Sequence, residues 1–259
     1  MKTALITGAS SGIGEAFAKE LATNQTNLIL VARSADRLQE IASKLTEQYS
    51  VTVDVIPADL IAPRATQELF DKISQKNLQV DLLINNAGYG DYGEFSTRDL
   101  TKQVNMIQLN ITALVELTYL FLPGMRERRQ GGIINVSSIA GFQPLPYMSV
   151  YAATKAFVLH FSEALWAENK ELGINILALC PGATESNFAN VAEFPQGSFG
   201  KGVKLATSEE VVKDALAALA KNQSNIVTGS NTNQIIVNLP RFLPRDFLVS
   251  SIEKQFKFD

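Results

Sequence analysis

Thr7-Gly8-Ala9-Ser10-Ser11-Gly12-Ile13-Gly14 closes a short apolar run, Thr3-Ala4-Leu5-Ile6-Thr7, and opens a longer helix-like stretch. A strand that turns through glycines into a helix is the opening unit of a βαβ fold. Small residues in the turn let the backbone come close to a bound pyrophosphate. The helix start then aims free N–H groups and a positive dipole end at it. The glycines stand at 8, 12 and 14, which differs from the common G-x-G-x-x-G spacing. An ordinary tight βα turn is the bland alternative, and the position after the first strand argues against it.

Working outward, the same alternation continues. Strand-like runs rich in Ile, Leu and Val occur at 3–7, 27–32, 51–56, 80–85, 132–137, 174–180 and 225–228. Helix-like stretches lie between them at about 12–23, 36–49, 63–76, 97–125, 150–172 and 207–221. Runs of this kind are strands buried on both faces, and their alternation with helices predicts a parallel sheet covered on both sides. No linker, repeat or low-complexity tract interrupts the pattern. The fold class predicted is α/β, with a single doubly wound Rossmann-type domain over 1–259 and about seven central strands.

Bulk properties narrow the function. The chain has 259 residues, 46% of them hydrophobic, enough for a sizeable core. A net charge of −3 gives no general pull toward nucleic acid. The single cysteine, Cys180, cannot form an internal disulfide and suits a reducing compartment. It is read as a small apolar residue at a strand end. The single histidine, His160, argues against a metal site and against a Ser-His-Asp triad. The chain opens directly on strand-like sequence, with no secretory signal visible. No uninterrupted apolar run reaches the length a bilayer requires. The location expected from these readings is cytoplasmic.

The end of the second strand bears on which dinucleotide is held. An acid there would bind the ribose hydroxyls of NAD. This chain has Val31-Ala32-Arg33-Ser34 instead. Arg33 can make charge-assisted bonds to a 2′-phosphate, Ser34 can add another, and Arg37 lies one turn on. NADP(H) is therefore expected. The bland alternative makes Arg33 a solvated loop residue and Ser34 a helix cap.

In Val150-Tyr151-Ala152-Ala153-Thr154-Lys155-Ala156, Tyr151 and Lys155 share a helix face one turn apart. A free phenol, with a pKa of about 10, is a poor acid or base near neutrality. A nearby ammonium favours the phenolate and lowers that value. A surface Tyr/Lys pair is the bland reading, but Tyr151 alone of the six tyrosines has a lysine four residues on. Ser138 follows a buried-looking strand, at the end of a sheet where ligands bind, and can donate to a substrate oxygen beside Tyr151. A serine at a strand end is otherwise a turn former.

Taken together, TGASSGIG (7–14), Asp59 after the third strand, NNAG (85–88), Asn110 in LNIT, Ser138, YAATK (151–155) and CPGATES (180–186) resemble the short-chain dehydrogenase/reductase family, to about residue 230. The resemblance implies an oxidoreductase moving a hydride between NADP(H) and a small-molecule carbonyl or alcohol. It implies Tyr151 as acid/base, Lys155 as the group that lowers its pKa and holds the nicotinamide ribose, and Ser138 as the carbonyl's hydrogen-bond donor. Asn110 would steady a water linking Lys155 to solvent. Cofactor contacts would come from Gly8, Ser10, Ser11, Gly12, Ile13, Gly14, Arg33, Ser34, Asp59, Leu60, Asn86, Ala87 and Gly88. Further contacts would come from Tyr151, Lys155, Pro181, Gly182 and either Thr184 or Ser186. No metal is implied.

Three rivals use the same fold. A non-enzymatic NADP-binding sensor would not need the intact Tyr/Lys/Ser/Asn set. An epimerase or dehydratase relative would carry a large C-terminal domain. A lipid-handling reductase would rest on a membrane surface.

The pocket-forming loops near 89–96, 139–149 and 184–205 carry Tyr89, Tyr92, Phe95, Phe142, Leu145, Tyr147 and Phe188, and no cluster of Arg or Lys. A neutral, fairly apolar carbonyl substrate is expected. The helices at 104–122 and 150–172 are apolar almost all round, which predicts a dimer or tetramer. The 184–205 loop, with glycines at 197, 200 and 202, reads as a lid. The tail from about 230 to 259 is broken by Pro240 and Pro244. It is expected to pack on a subunit, wall the pocket, or rest on a membrane surface with Arg241 and Arg245 toward lipid phosphates.

Overall fold

The computed structural model describes residues 2–195 and 205–257. Seven strands form one sheet in the order β3-β2-β1-β4-β5-β6-β7. They are β1 (Thr3–Thr7), β2 (Asn27–Ala32), β3 (Val53–Pro57), β4 (Leu82–Asn85), β5 (Gly131–Val136), β6 (Ile174–Pro181) and β7 (Asn225–Thr228). Every neighbouring pair is parallel. The order reverses between β1 and β4, so a crevice opens beyond their carboxyl ends, where open α/β sheets bind ligands.

Helices cover both faces. On one side α1 (Gly12–Thr23), α2 (Ala35–Tyr49) and α8 (Ser208–Ala220) pack Phe17, Leu38 and Val212 onto the sheet. On the other, α3 (Ala65–Gln75), α5 (Leu114–Arg128) and α6 (Ser149–Asn169) contribute Leu69, Phe121 and Leu165. α8 starts cleanly because Thr207 and Glu210 cap each other's backbone N–H groups.

The stretch read as one helix over 97–125 has internal structure. The Asp99 carboxylate accepts from the backbone N–H of Lys102 at 2.7 Å, so α4 (Leu100–Ile107) starts at Leu100. A π-turn at Gln108–Ala113 then widens the helix before α5 continues it. Such bulges insert a residue and turn the following side chains, and they concentrate at functional sites. The whole helix, Leu100–Arg128, is long and apolar enough to cross a membrane by length and composition, with a mean hydropathy of 1.3 in its most apolar window. The apolar run is not uninterrupted, since Lys102 and Glu116 fall within it, and Leu117, Phe121 and Met125 pack it into the core against the sheet.

The tail also departs from expectation. Residues after β7 form α9 (Asn231–Asn238) and α10 (Arg245–Phe256), with a short 3-10 turn at Leu239–Arg241 between them. Pro240 sits in that turn and Pro244 at the N-cap of α10, so the prolines punctuate the helices rather than prevent them. A short helix, α7 (Phe188–Val191), lies between β6 and α8. The glycines at 197, 200 and 202 lie outside the described residues.

Candidate active site

A cavity of about 1360 Å³ runs along the carboxyl edge of the sheet, from the β1–α1 turn to α10. Its floor at the turn is bare for a steric reason. Gly8 (φ +63°) and Gly12 (φ +54°) adopt left-handed backbone that glycine tolerates best. A Cβ on Gly8 would lie 2.8 Å from Asn86 Nδ2. Asn86 in turn ties the two loops together, donating from Nδ2 to the Thr7 carbonyl at 2.9 Å. Thr7 Oγ1 accepts from the backbone N–H groups of Asn86 and Ala87, both at 3.0 Å. Thr7 is thus a positioning residue that the sequence pattern did not single out. This bare, amide-lined turn at the start of α1 fits a pyrophosphate.

Ser10, Ser11, Ile13, Arg33, Ser34, Asp59, Leu60, Ala87 and Gly88 all line the cavity, as do Pro181, Gly182, Thr184 and Ser186. Gly14 does not. A Cβ there would lie 2.2 Å from the Gly8 carbonyl oxygen, so its bareness closes the turn itself. Arg33 is exposed at the cavity wall. Ser34 occupies the N-cap position of α2 but its side chain makes no cap bond, leaving the hydroxyl toward the cavity. Arg37 is committed elsewhere. It binds Glu15 at 2.8 Å and Glu40 at 2.7 Å, so it braces α1 against α2 and is removed from the 2′-phosphate contacts expected of it.

At the other end Tyr151, Lys155 and Ser138 converge on the cavity wall. Tyr151 is 8% exposed and Lys155 6%. Burial pushes the Tyr151 phenol up to about 12, and a hydrogen bond with Ser138 draws it partly back. Burial likewise brings Lys155 down to about 8. The Lys155 ammonium lies 5.8 Å from the Tyr151 ring centroid and donates to the Val136 carbonyl at 2.8 Å. Desolvation dominates both shifts because it penalises the charged form of each group, and the group that draws the phenol down here is Ser138 rather than Lys155.

Asn110 stands in the π-turn, behind the cavity wall rather than on it. Its side chain clamps Tyr89 from both sides, accepting from the backbone N–H at 3.1 Å and donating to the carbonyl at 3.0 Å. It also donates to Thr154 Oγ1 at 3.1 Å, joining the π-turn to α6. A Cβ on Gly88 would meet Asn110 Oδ1 at 2.8 Å and Lys155 Nζ at 3.5 Å. NNAG thus ends in glycine so that Asn110 and Lys155 can close behind it.

The sequence model of the short chain dehydrogenase family matches residues 2–194. The chain belongs to that family. It is an NADP(H)-dependent oxidoreductase of the short-chain dehydrogenase/reductase type. It is 37% identical to a very-long-chain 3-oxoacyl-CoA reductase of Anas platyrhynchos over 229 residues, covering 86% of this chain and 70% of that protein. A short-chain dehydrogenase from Sphingobium yanoikuyae solved with NADPH superposes with a TM-score of 0.83 at 31% identity, covering 93% of both chains. A bulky-bulky ketone specific alcohol dehydrogenase from Comamonas testosteroni gives a TM-score of 0.79 at 32% identity, over 93% and 92%.

The expectation of a cytoplasmic short-chain dehydrogenase does not stand. It rested on the single cysteine, the lack of a visible secretory signal and the lack of an uninterrupted apolar run; Leu100–Arg128 is nevertheless long and apolar enough to cross a membrane by length and composition, and the relatives include very-long-chain 3-oxoacyl-CoA reductases.

The substrate wall differs from the one expected. Tyr89, Leu145 and Phe188 line the cavity; Tyr92, Phe95, Phe142 and Tyr147 do not. In their place α10 supplies Phe247, Leu248, Ile252 and Phe256. Tyr92 acts from outside, donating to the Phe256 carbonyl and so holding the end of α10. No sequence motif marks α10. Only its apolar residues signalled that something must cover them.

Proposed function

We propose that this chain reduces the carbonyl of a large, predominantly apolar ketone, with Tyr151 as proton donor. The observation that carries the reading is Tyr151 itself: buried, hydrogen-bonded with Ser138, and open to a cavity roofed by the apolar face of α10. NADPH, when bound along the Gly8–Gly14 turn, supplies the hydride. Tyr151 gives its phenolic proton to the substrate oxygen, and the product is the alcohol. With its pKa near 12 the phenol is fully protonated at neutral pH, the form reduction requires. Ser138 donates to the same oxygen and fixes its position. Lys155, backed by Asn110 and Gly88, directs a positive charge at the ribose hydroxyls and re-supplies the proton path. Arg33 and Ser34 hold the 2′-phosphate, Asp59 and Leu60 the adenine, and Pro181, Gly182 and Thr184 or Ser186 the nicotinamide end. The intact Tyr/Lys/Ser/Asn set disfavours the sensor reading.

A second reading, reduction of a long-chain 3-oxoacyl thioester, is favoured by the name of the first relative. Purified protein with NADPH, offered diaryl and alkyl-aryl ketones beside a long-chain 3-oxoacyl thioester, separates the two. NADPH consumption with the ketones supports the first. Consumption with the thioester alone replaces it by the second.

The same reading treats residues 1–259 as one domain that self-associates. Leu100, Val104 and Ile107 on α4 and Phe157 on α6 are exposed and apolar, and a partner copy would cover them. Ile235, Phe242 and Phe247 form an exposed apolar rim on the tail beside Arg241 and Arg245, suited to an anionic lipid surface. Flotation with anionic vesicles tests that contact, and its absence leaves the tail as a pocket wall alone.

A further inference from the structure

We propose that Gly90 and Phe188 form a matched pair that sets how large a group the pocket accepts beside Tyr151. The proposal rests on the reading of Tyr151 as proton donor and goes beyond it to the substrate's shape.

Phe188 opens α7 and lies against the catalytic tyrosine, ring centroids 5.2 Å apart and planes inclined at 50°. Both rings belong to one apolar cluster with Met148, Leu248 and Ile252. A substituent approaching the Tyr151 hydroxyl from the α7 side therefore meets the Phe188 ring. The rest of the cavity continues beneath α10, away from the Phe188 ring. The two sides of a ketone are thus treated unequally.

The Phe188 ring reaches this place because Gly90 has no side chain. A Cβ on Gly90 would lie 2.6 Å from Phe188 Cζ, 3.1 Å from Cε2 and 3.2 Å from Met148 Cε. Gly90 is buried and is not among the glycines with positive φ. Its backbone is one any residue can adopt, so the glycine serves space rather than conformation.

The segment holding Phe188 is anchored independently. The Tyr92 N–H donates to the Ala192 carbonyl at 2.8 Å. Glu193 pairs with Arg98 at 2.6 Å and with Lys102 at 2.5 Å. Beneath them the fully buried Asp91 carboxylate binds the same two cations, each at 2.6 Å. Phe188 is therefore held over Tyr151 by contacts that fix the chain directly after α7, and the substrate must fit the space it leaves.

Two variants reach the pair from opposite sides. Phe188→Ala removes the ring. Gly90→Ala keeps the ring and displaces it by the clash described. Activity with NADPH is measured on ketones of rising size, from aryl methyl ketones to ketones bulky on both sides. Phe188→Ala should raise kcat/KM for the doubly bulky ketones relative to the methyl ketones by roughly tenfold or more. Gly90→Ala should also shift the ranking, by moving the ring rather than removing it. Introduced into Phe188→Ala, Gly90→Ala should add little, because its clash partner is gone. NADPH affinity should stay at the wild-type value in all three, which reports an intact fold. An unchanged ranking in both single variants, or an equal Gly90→Ala effect in both backgrounds, would overturn the pairing. Tyr151→Phe, assayed beside them, tests the proton donor separately, so failure of the pair and failure of the catalytic reading are told apart.

Discussion

Lys155 Nζ donates to the main-chain carbonyl of Val136 at 2.8 Å, so the charge on α6 is held by the last residue of β5. The bond fixes the lysine beside the site, but burial makes its charged form costly. Its pKa in the folded chain, about 8, lies below that of an unfolded lysine, about 10.4. Between those values the unfolded chain keeps a proton that the folded chain has released, so the Lys155 contribution to stability rises with pH. Buried Cys180 acts in the opposite sense. Its thiol is pushed up to about 12, so the unfolded chain loses the proton first and stability falls over the same range.

The lysine's share is therefore read by difference. From pH 7.5 to 9.5, the urea midpoint of Lys155→Met should fall more steeply than that of the wild type. Parallel midpoints across that range would show that burial does not lower the Lys155 pKa.

Arg33→Ala should weaken NADPH more than NADH, because the exposed guanidinium at the cavity wall reaches only the cofactor that carries the extra phosphate. A charge-assisted bond of this kind contributes roughly 1.5–3 kcal/mol, or about tenfold to a hundredfold in Kd. Fluorescence titration of both cofactors against both proteins measures it. Equal losses for NADPH and NADH would remove Arg33 from the 2′-phosphate.

Much of this was legible in the sequence because the signals were local. Strands such as Thr3–Thr7 and Asn27–Ala32 are apolar runs buried on both faces, so their limits follow from hydrophobicity alone. Tyr151 and Lys155 sit on one helix at a fixed spacing, so their convergence needs no tertiary knowledge. What escaped was set by contacts between distant segments. The π-turn at Gln108–Ala113 has no pattern of its own and is matched to Tyr89 and Thr154 through Asn110. The seat of Phe188 depends on a glycine 98 positions earlier in the chain. Arg37 looked free to bind phosphate until Glu15, from another helix, was placed beside it.

The exposed apolar face of α4 and α6 should make the wild type a dimer or tetramer, and Val104→Asp should dissociate it. Val104 is 53% exposed, so the aspartate costs the isolated fold little and is buried only against a partner. Light scattering at micromolar concentration reads both. A monomeric wild type would remove self-association from the account.

The segment from Thr184 to Pro195 should gain protection from hydrogen exchange when NADP(H) and a ketone analogue bind together. It contributes Thr184, Ser186 and Phe188 to the cavity wall, and the ion pairs of Glu193 in it are partly exposed and contribute little individually. Equal protection in the free and ternary states would make it a fixed wall.

The central claim is that Tyr151 hands its proton to the substrate oxygen. Replacing it by Phe removes one hydroxyl and leaves the ring that packs against Phe188 in place. Steady-state reduction of the best ketone, with NADPH binding titrated on the same samples, is the most direct measurement. The account predicts that kcat of Tyr151→Phe falls by at least about a hundredfold, the scale of a general acid, while NADPH binds as before. A kcat near the wild-type value would contradict it.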